Sequence, residues 1–353
     1  MILRKPTRRV EIRGLGLGGF EPVRLQSMTC TATTDIPATL DQIRRLEAAG
    51  CELVRLAIPD HEAAAAFAQI RRQTDLPLVA DIHFDYRLAL EALRAGADKI
   101  RLNPGNIGGE ERALTVAREA AARGVPIRIG VNSGSVEKDL LAKYGEPTPQ
   151  ALVESALRHV DLLSAVPDLQ LVLSLKASDV LTTIEAYRAV SAQTDLPLHL
   201  GVTEAGTPFT GAIRSAVGIG TLLAEGLGDT LRVSLTGDVV EEIKVGWEIL
   251  RSLGLRRRGV ELISCPTCGR TEVDLVGIAV RVEKALEDIQ QPLRVAVMGC
   301  AVNGPGEARG ADVGVACGKG KGLIFVRGET VRAVPEERIV EELVAEVRKF
   351  LEG

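Results

Sequence analysis

The sequence predicts an α/β protein, with an N-terminal (β/α)8 TIM barrel followed by a small C-terminal α/β domain. From residue 22 to about residue 252, eight short β-like runs alternate with eight amphipathic helical runs, which is the pattern of a parallel barrel. This alternation ends at the basic segment 256–259 (RRRG). The predicted domains are therefore residues 1–255 and 256–353. A doubly wound open sheet is the alternative arrangement of the same elements.

A glycine-rich segment precedes the predicted barrel. Residues 10–13 (VEIR) predict a short strand, and residues 14–19 (GLGLGG) then match the spacing G-x-G-x-x-G. A dinucleotide-binding loop with this spacing must open a helix whose N–H groups face the pyrophosphate. Here Phe20 and Pro22 lead into another apolar strand instead. We therefore interpret the glycines as a turn, most simply that of a hairpin.

The barrel elements follow from residue type and spacing. Short apolar runs predict strands at 23–28, 53–58, 78–83, 100–103, 127–132, 171–176, 198–203 and 231–235. Apolar residues three and four apart predict helices at 38–49, 62–72, 86–95, 111–123, 148–163, 180–193, 211–225 and 239–253.

The C-terminal domain has a different pattern. Short strands are predicted at 261–263, 294–298, 313–316 and 323–326, together with a helix through Leu275, Ile278 and Val282 and a final helix through Leu343 and Val347.

Composition narrows the class of function. The formal charge is −4 and only 3% of residues are aromatic, which argues against nucleic-acid binding through charge or base stacking. No apolar run approaches the length of a membrane span, and the N-terminal residues lack a signal-peptide pattern. We expect a cytoplasmic protein, in which six cysteines are free thiols or metal ligands rather than disulfides.

Several predicted barrel strands carry a cation between apolar neighbours. Barrel strands are covered on both faces, and an isolated buried cation is costly, so each of these cations needs an anionic partner. The acids Asp81, Asp98 and Glu204 could serve some of them, but the cations outnumber the acids. We therefore favour a polyanionic ligand, and a diphosphate suits bidentate guanidinium groups. The cations are Arg55, Arg101, Arg128, Lys176 and Arg232.

Other polar residues stand at the predicted C-terminal ends of strands, where barrels build their sites. Asp81 and His83 share one strand face because they are two residues apart. The remaining members of this set are Gln26, Ser27, Asn103, Asn132, Glu204 and Ser234. The histidines His61, His159 and His199 lie on helices or apolar runs, so we interpret them as structural.

Cysteines in the C-terminal domain indicate a metal centre. Cys265 and Cys268 are spaced C-x-x-C, Cys300 follows in a glycine-containing loop, and no histidine occurs after His199. This pattern leaves zinc, a [4Fe–4S] cluster and a redox dithiol open. A fourth ligand could be Glu307, Cys317 or substrate. Ligand softness favours Cys317, whereas a carboxylate would be more easily displaced.

Many short motifs together resemble the bacterial 4-hydroxy-3-methylbut-2-enyl diphosphate synthase family of the non-mevalonate isoprenoid pathway, from about residue 5 to the C-terminus. In the barrel they are QSMT (26–29), ADIHFDY (80–86), RLNPGNIG (101–108), IGVN (129–132), EKD (137–139), YGEPTP (144–149), KASD (176–179), TEAG (203–206) and GDTLRVS (228–234). In the C-terminal domain they are CPTC (265–268) and NGPGE (303–307).

The resemblance implies a TIM barrel that binds substrate and a small α/β iron–sulfur (reductase-like) domain. Its implied reaction is two-electron reductive ring opening and dehydroxylation of 2-C-methyl-D-erythritol 2,4-cyclodiphosphate. Flavodoxin or ferredoxin would supply the electrons. The implied assembly is a homodimer in which the cluster domain of one subunit covers the barrel mouth of the other. Matched by motif, the [4Fe–4S] ligands are Cys265, Cys268, Cys300 and Glu307, which leaves Cys317 and Cys30 as ordinary thiols.

These expectations assign a role to each candidate residue. Substrate oxygen would replace Glu307 at the cluster, Glu204 would donate a proton, and Asp81 would orient His83. The expected ligands of the cyclic diphosphate are Arg55, Arg101, Arg128, Lys176, Arg232, His83, Asn103, Asn132 and Ser234, with Asn303 from the C-terminal domain. A zinc-stabilised barrel that only binds a phosphorylated metabolite is one competing reading. A radical S-adenosylmethionine enzyme is another, although its three cysteines usually lie at the first barrel loop.

Overall fold

The computed structural model describes residues 2–300 and 310–352. The chain forms two compact units, Met1–Arg256 and Arg257–Gly353, and each has its own apolar core. Within the parts of the chain that are described, no helix is long and apolar enough to cross a membrane.

An N-terminal hairpin precedes the barrel. Strands β1 (Val10–Ile12) and β2 (Leu15–Leu17) pair antiparallel, and Arg13 and Gly14 between them have φ of 50° and 78°. Two consecutive left-handed residues are typical of a tight hairpin turn. A hairpin is therefore present, but its turn is at Arg13 and Gly14, and residues 15–17, predicted as part of the turn, form its second strand. The hairpin packs against the first residues of three barrel strands and closes that end of the barrel, in a cluster of Val10, Ile12, Leu17, Leu53, Val79 and Val172.

Eight parallel strands form the barrel: β3 (Arg24–Met28), β4 (Leu53–Ala57), β5 (Leu78–Asp81), β6 (Lys99–Leu102), β7 (Ile127–Asn132), β8 (Leu171–Lys176), β9 (His199–Leu200) and β10 (Thr230–Leu231). Their order is β8-β7-β6-β5-β4-β3-β10-β9. A parallel bridge between Leu173 and Leu198 joins the two outermost strands. The predicted TIM barrel is therefore confirmed, and the open sheet is excluded.

Helices cover the outside of the barrel: α1 (Ile36–Ala48), α2 (His61–Arg71), α3 (Tyr86–Arg94), α4 (Glu110–Ala122), α5 (Lys138–Tyr144), α6 (Pro149–Ser164), α7 (Val180–Ser191), α8 (Pro208–Ala224) and α9 (Val239–Ser252). Aspartates cap several of them: the side chains of Asp35, Asp60, Asp179 and Asp238 each accept a hydrogen bond from a backbone N–H of the first turn. Helix α5 was not predicted, because seven residues are too few to show a helical period.

The described residues of the C-terminal unit form a five-stranded sheet with two α-helices. Its elements are β11 (Val260–Ser264), α10 (Leu275–Ala285), β12 (Leu293–Met298), β13 (Val313–Gly318), β14 (Lys321–Val326), β15 (Glu329–Pro335) and a C-terminal helix (Ile339–Glu352). The pairs β11–β12 and β12–β13 are parallel, whereas β13–β14 and β14–β15 are antiparallel. Apolar residues of both helices, such as Ile278 and Leu343, share one core with the sheet.

Candidate active site

Asp81 places a carboxylate inside the barrel, at the end of β5. Its side chain is 2% exposed, and its oxygens lie 3.2 Å from Nη1 of Arg101, 3.6 Å from Nε of Arg55 and 3.2 Å from Nε2 of His83. Burial alone would raise the pKa of Asp81, but Arg55, the His83 hydrogen bond and Arg101 together lower it below its ordinary value. Asp81 is therefore ionised, and one negative charge is shared by two guanidinium groups.

Arg55 has a weak second partner. Its Nε and Nη2 lie 3.1 Å and 2.9 Å from the sulfur of Met28, and a thioether is a poor acceptor. Burial lowers the pKa of Arg55 to about 10, although Asp81 acts in the opposite direction. The side chain is still a cation at neutral pH, and it has donors available for a stronger acceptor.

Arg101 lies across a glycine of the neighbouring strand. A Cβ on Gly130 would lie 2.6 Å from Nε of Arg101, so the guanidinium occupies the space of the missing side chain. With its amide oxygen turned toward Arg101, Asn132 accepts a hydrogen bond of 3.3 Å from Nη2. Strand β7 thus supplies both the room for Arg101 and a group that orients it.

Arg128 and Lys176 add positive charge to the barrel interior. In the described part of the chain, no carboxylate lies within ion-pair distance of either side chain. Arg128 is 1% exposed, and its Nε and Nη1 have no hydrogen-bond partner among residues 2–300 and 310–352. Burial and the neighbouring cations lower the pKa of both groups well below the ordinary values. A bound anion would supply the missing partner.

Arg232 is paired with a carboxylate that the sequence reading missed. Its Nη2 lies 3.2 Å from Oε1 of Glu242, a residue of α9 that is buried. Glu242 also accepts hydrogen bonds from Oγ of Ser27 at 2.8 Å and from the backbone N–H of Leu235 at 3.1 Å. The sequence did contain a signal for the interior position of Glu242. Its helical spacing places it between Val239 and Gly246 on the buried face of α9.

The remaining candidates lie at the C-terminal ends of the strands or in the loops that follow. His83 is about half exposed and Ser234 is half-buried. Asn103 donates to Oγ of Ser135 at 3.1 Å and accepts from the N–H of Gly105 at 3.1 Å, which links two loops. Glu204 has a φ of 53° and its side chain is exposed in the single chain, not enclosed as its expected role required.

Parallel pairing brings the C-terminal cysteines to one edge of the sheet. Ser264 at the end of β11 pairs with Val297 of β12, so the loops that contain Cys265 and Cys300 leave the sheet at the same edge. The N–H of Gly299, the residue before Cys300, donates to Sγ of Cys265 at 3.2 Å, so the two cysteine-containing loops are in contact. Hydrogen bonds from the Arg270 backbone and side chain lower the pKa of the exposed Cys268.

Within residues 2–300 and 310–352, no three histidine, cysteine or acidic side chains lie close enough together to hold a metal ion. Cysteine sulfurs are nevertheless the donor type of a thiolate-bound metal centre. Cys317, the other candidate for the fourth position, is buried in β13, where burial raises the pKa of its thiol to about 12. Asn303, predicted for the substrate site, and Glu307, predicted for the metal centre, lie outside the described residues.

Comparison with known proteins identifies the family. The GcpE TIM-barrel domain model matches residues 7–247, and the GcpE protein C-terminal domain model matches residues 261–349. A relative from Clostridium perfringens, named 4-hydroxy-3-methylbut-2-en-1-yl diphosphate synthase (flavodoxin), is 57% identical over 97% of this chain and 98% of its own. A relative of the same name from Geobacter sulfurreducens is 56% identical over 99% of each chain.

A solved structure agrees with the fold alone. The spore coat polysaccharide biosynthesis protein from Bacillus subtilis is 10% identical and has a TM-score of 0.50, over 70% of this chain and 74% of that one. The two domain matches and the two relatives show the family: the chain belongs to the GcpE family of 4-hydroxy-3-methylbut-2-en-1-yl diphosphate synthases.

Proposed function

We propose that this protein converts 2-C-methyl-D-erythritol 2,4-cyclodiphosphate into 4-hydroxy-3-methylbut-2-enyl diphosphate. The reaction is a two-electron reductive ring opening with loss of the hydroxyl group as water. One observation carries the substrate class: the barrel interior holds Arg128 and Lys176 without a described carboxylate partner, beside Arg55 and Arg101, which share Asp81. A diphosphate supplies the missing negative charge and several acceptor oxygens at once.

In this proposal the barrel binds and orients the cyclic diphosphate. Arg55 exchanges its weak thioether contact for a phosphate oxygen, and Asp81 keeps His83 and Arg101 in position. Asn103 and Asn132 fix the loops and the guanidinium beside them. The proposed substrate ligands are Arg55, His83, Arg101, Asn103, Arg128, Asn132, Lys176, Arg232, Ser234 and Asn303, and Asp81 belongs to the site as the residue that orients His83 and Arg101.

The C-terminal unit is the proposed redox centre. Cys265, Cys268, Cys300 and Glu307 would hold a [4Fe–4S] cluster, whose chemistry is to pass single electrons and to act as a Lewis acid. The hydrogen bond from Gly299 to Sγ of Cys265, which joins the loops of Cys265 and Cys300, supports this assignment. A carboxylate in the fourth position is held less firmly than a thiolate would be. Flavodoxin or ferredoxin is the proposed electron donor, and the family name of the relatives supports flavodoxin.

We assign the role of proton donor to Glu204. The proposed functional state of the protein is a homodimer in the cytoplasm. Glu204 is exposed at the barrel mouth, so a second subunit's cluster domain could enclose it. An apolar stripe on α8 supports self-association: Phe209, Ile213 and Val217 follow each other at four-residue spacing and are 80%, 50% and 50% exposed. Such a stripe is typical of an interface.

Anaerobic purification followed by iron, sulfide and zinc analysis tests the redox centre. We expect about four iron and four sulfide per chain, and turnover of the cyclic diphosphate with reduced flavodoxin. Stoichiometric zinc without sulfide would overturn the cluster and would favour the zinc-stabilised barrel that only binds a phosphorylated metabolite.

A further inference from the structure

Below the cations of the barrel mouth lies a second group of buried polar side chains, which we call the lower tier. It consists of Gln26, Lys99, Arg128, His199 and Thr230, and each is 0% or 1% exposed. Arg128 belongs both to this tier and to the proposed substrate site above it.

The strand register places the tier next to the N-terminal hairpin. Gln26 pairs with Leu53, Lys99 with Val79 and Arg128 with Val172. Paired residues on neighbouring strands point to the same face of the sheet. Their three partners all pack against the hairpin inside the barrel, so these polar side chains point into the barrel interior near the hairpin. His199 and Thr230 are paired in the same way on β9 and β10.

Every side chain of the lower tier has at least one polar atom without a hydrogen-bond partner among the described residues. Eight of its polar atoms have no hydrogen-bond partner in the described part of the chain: both amide atoms of Gln26, Nζ of Lys99, Nε and Nη1 of Arg128, both ring nitrogens of His199 and Oγ1 of Thr230. Buried polar groups in native proteins are almost always paired. Five neighbouring side chains that all lack partners indicate one shared partner in the space between them.

The charge of the tier selects the kind of partner. Within the described ranges, Lys99 and Arg128 have no carboxylate at ion-pair distance, and the nearby Asp81 already serves Arg55 and Arg101. Burial and the surrounding cations lower the pKa of His199 well below its ordinary value, so His199 is neutral and offers one N–H donor. Burial, Arg128 and Arg55 likewise lower the pKa of Lys99 well below its ordinary value. Water would satisfy hydrogen bonds without offsetting this effect, whereas an anion would do both.

Accessibility limits the size of this anion. The side chains of Arg55 and Arg232 at the mouth keep 11% and 17% exposure, whereas Lys99 and His199 have none. A diphosphate can reach the first pair but not the second. We propose that the lower tier is a separate site for a small monovalent inorganic anion such as chloride, enclosed between the diphosphate site and the hairpin. This inference shares Arg128 with the diphosphate site proposed above, but it is carried by Gln26, Lys99, His199 and Thr230, which that site does not use.

Bromide is a suitable probe because it can be located by its anomalous scattering. Crystals of the full-length protein grown in sodium bromide should show an anomalous peak in contact with Lys99 and Arg128. Crystals of Lys99→Met should lack the peak. Ordered water alone at this position in the wild-type protein would overturn the proposal.

Thermal unfolding gives an independent solution test. At constant ionic strength, replacing sodium gluconate with sodium bromide should raise the Tm of the wild-type protein by about 2 °C or more, and should not raise that of Lys99→Met. Lys244→Met is the matched control, because Lys244 is exposed on α9, and it should keep the wild-type response. If Lys99→Met does not fold, the nearly isosteric variant Thr230→Val takes its place, and its rise in Tm should be smaller than that of the wild-type protein. An equal response of the wild-type protein and Lys99→Met would contradict the site. If Lys99→Met does not fold, an equal response of the wild-type protein and Thr230→Val would contradict it.

Inorganic diphosphate distinguishes a separate site from a deep part of the substrate site. We expect the bromide peak to persist in crystals that also contain diphosphate. Loss of the peak on diphosphate binding would mean that the lower tier belongs to the diphosphate site, and it would overturn the separate site without affecting the proposed reaction.

Discussion

The ammonium group of Lys176 occupies the space that a side chain at Gly201 would fill. A Cβ at position 201 would lie 2.6 Å from Nζ of Lys176 and 2.9 Å from the backbone oxygen of Arg232. Gly130 stands in the same relation to the guanidinium of Arg101. In both cases a glycine next to an inward-pointing cation gives a long side chain room at the barrel mouth. The two glycines therefore belong to the site although they carry no functional group.

Gly201→Ala should displace Lys176 and weaken diphosphate binding. Loss of one charge-assisted contact corresponds to about a tenfold fall in affinity for inorganic diphosphate, measured by calorimetry. The matched control is Gly220→Ala in α8, where a Cβ would meet nothing within 4 Å. The control should retain wild-type affinity. Wild-type affinity in Gly201→Ala would show that Lys176 does not contact the diphosphate.

Asp81→Asn should destabilise the protein in a pH-dependent way. The carboxylate is buried between Arg55 and Arg101, so its removal leaves buried cations unpaired and should cost about 3 kcal/mol at pH 7. Because the pKa of Asp81 is lower in the folded protein than its ordinary value, this stabilisation is complete above the unfolded-state pKa of about 3.9 and is lost as the pH falls below it.

Denaturant unfolding of both proteins between pH 7 and pH 3 measures this difference. The gap in free energy of unfolding should be constant down to about pH 5 and should narrow below about pH 4. Asp41→Asn, at an exposed position of α1, is the control and should show almost no gap. A pH-independent gap for Asp81→Asn would mean that the ionised carboxylate does not provide the stabilisation.

The features that were predictable from sequence are those that a single segment carries. The barrel strands and helices appear as alternating runs, and the interior cations stand out because each interrupts an apolar strand. Strand β15 was missed because most of its side chains are exposed, which leaves little apolar alternation to detect.

Features that depend on two segments were not predictable. Glu242 becomes an interior partner of Arg232 only because α9 packs where it does, and a carboxylate on an amphipathic helix otherwise suggests a solvated face. His199 looked structural on its apolar run, yet both of its ring nitrogens lack partners in the described structure. The roles of Gly130 and Gly201 depend on which strands are neighbours and on how those strands are paired. Neither can be read from a single sequence.

Thiol reactivity should separate the cysteines. In metal-free protein, iodoacetamide at pH 8 should modify Cys268 readily, because it is exposed and hydrogen bonds from Arg270 lower its pKa. Cys51 and Cys317 should react only after unfolding, because burial raises the pKa of both thiols to about 12. Peptide mapping by mass spectrometry with and without guanidinium chloride measures this.

Reconstitution with iron and sulfide provides the control for this labelling experiment. Cys268 should become protected, whereas Cys317 should be unreactive in both forms. Labelling of Cys317 at the rate of Cys268 in the folded protein would contradict the burial of β13.

Val217→Glu should convert the proposed homodimer into monomers. The substitution places a carboxylate at the C-terminal end of the exposed apolar stripe of α8, where dimer formation would bury it. Sedimentation equilibrium should show half the wild-type mass. Val331→Glu, at another exposed valine on β15, should leave the mass unchanged. A monomeric wild-type protein would exclude the proposed assembly.

Two variants of Glu204 distinguish the effect of backbone strain on stability from the effect of the carboxyl group on proton transfer. A non-glycine residue with a φ of 53° costs about 1 kcal/mol relative to glycine. Glu204→Gly should therefore raise Tm by about 2 °C, whereas Glu204→Gln should leave it unchanged. Both variants should lose turnover while retaining affinity for inorganic diphosphate, because only the carboxyl group can donate the proton.

Asp168 offers the matched control for this pair of variants, because it has a φ of 61° in an exposed loop between α6 and β8. Asp168→Gly should stabilise the protein to a similar extent and should keep full turnover. If Glu204→Gly and Asp168→Gly both gain stability but only the first loses activity, the loss reflects the carboxyl group and not the backbone. Wild-type turnover in Glu204→Gln would remove Glu204 from the mechanism, since its amide cannot replace an acid.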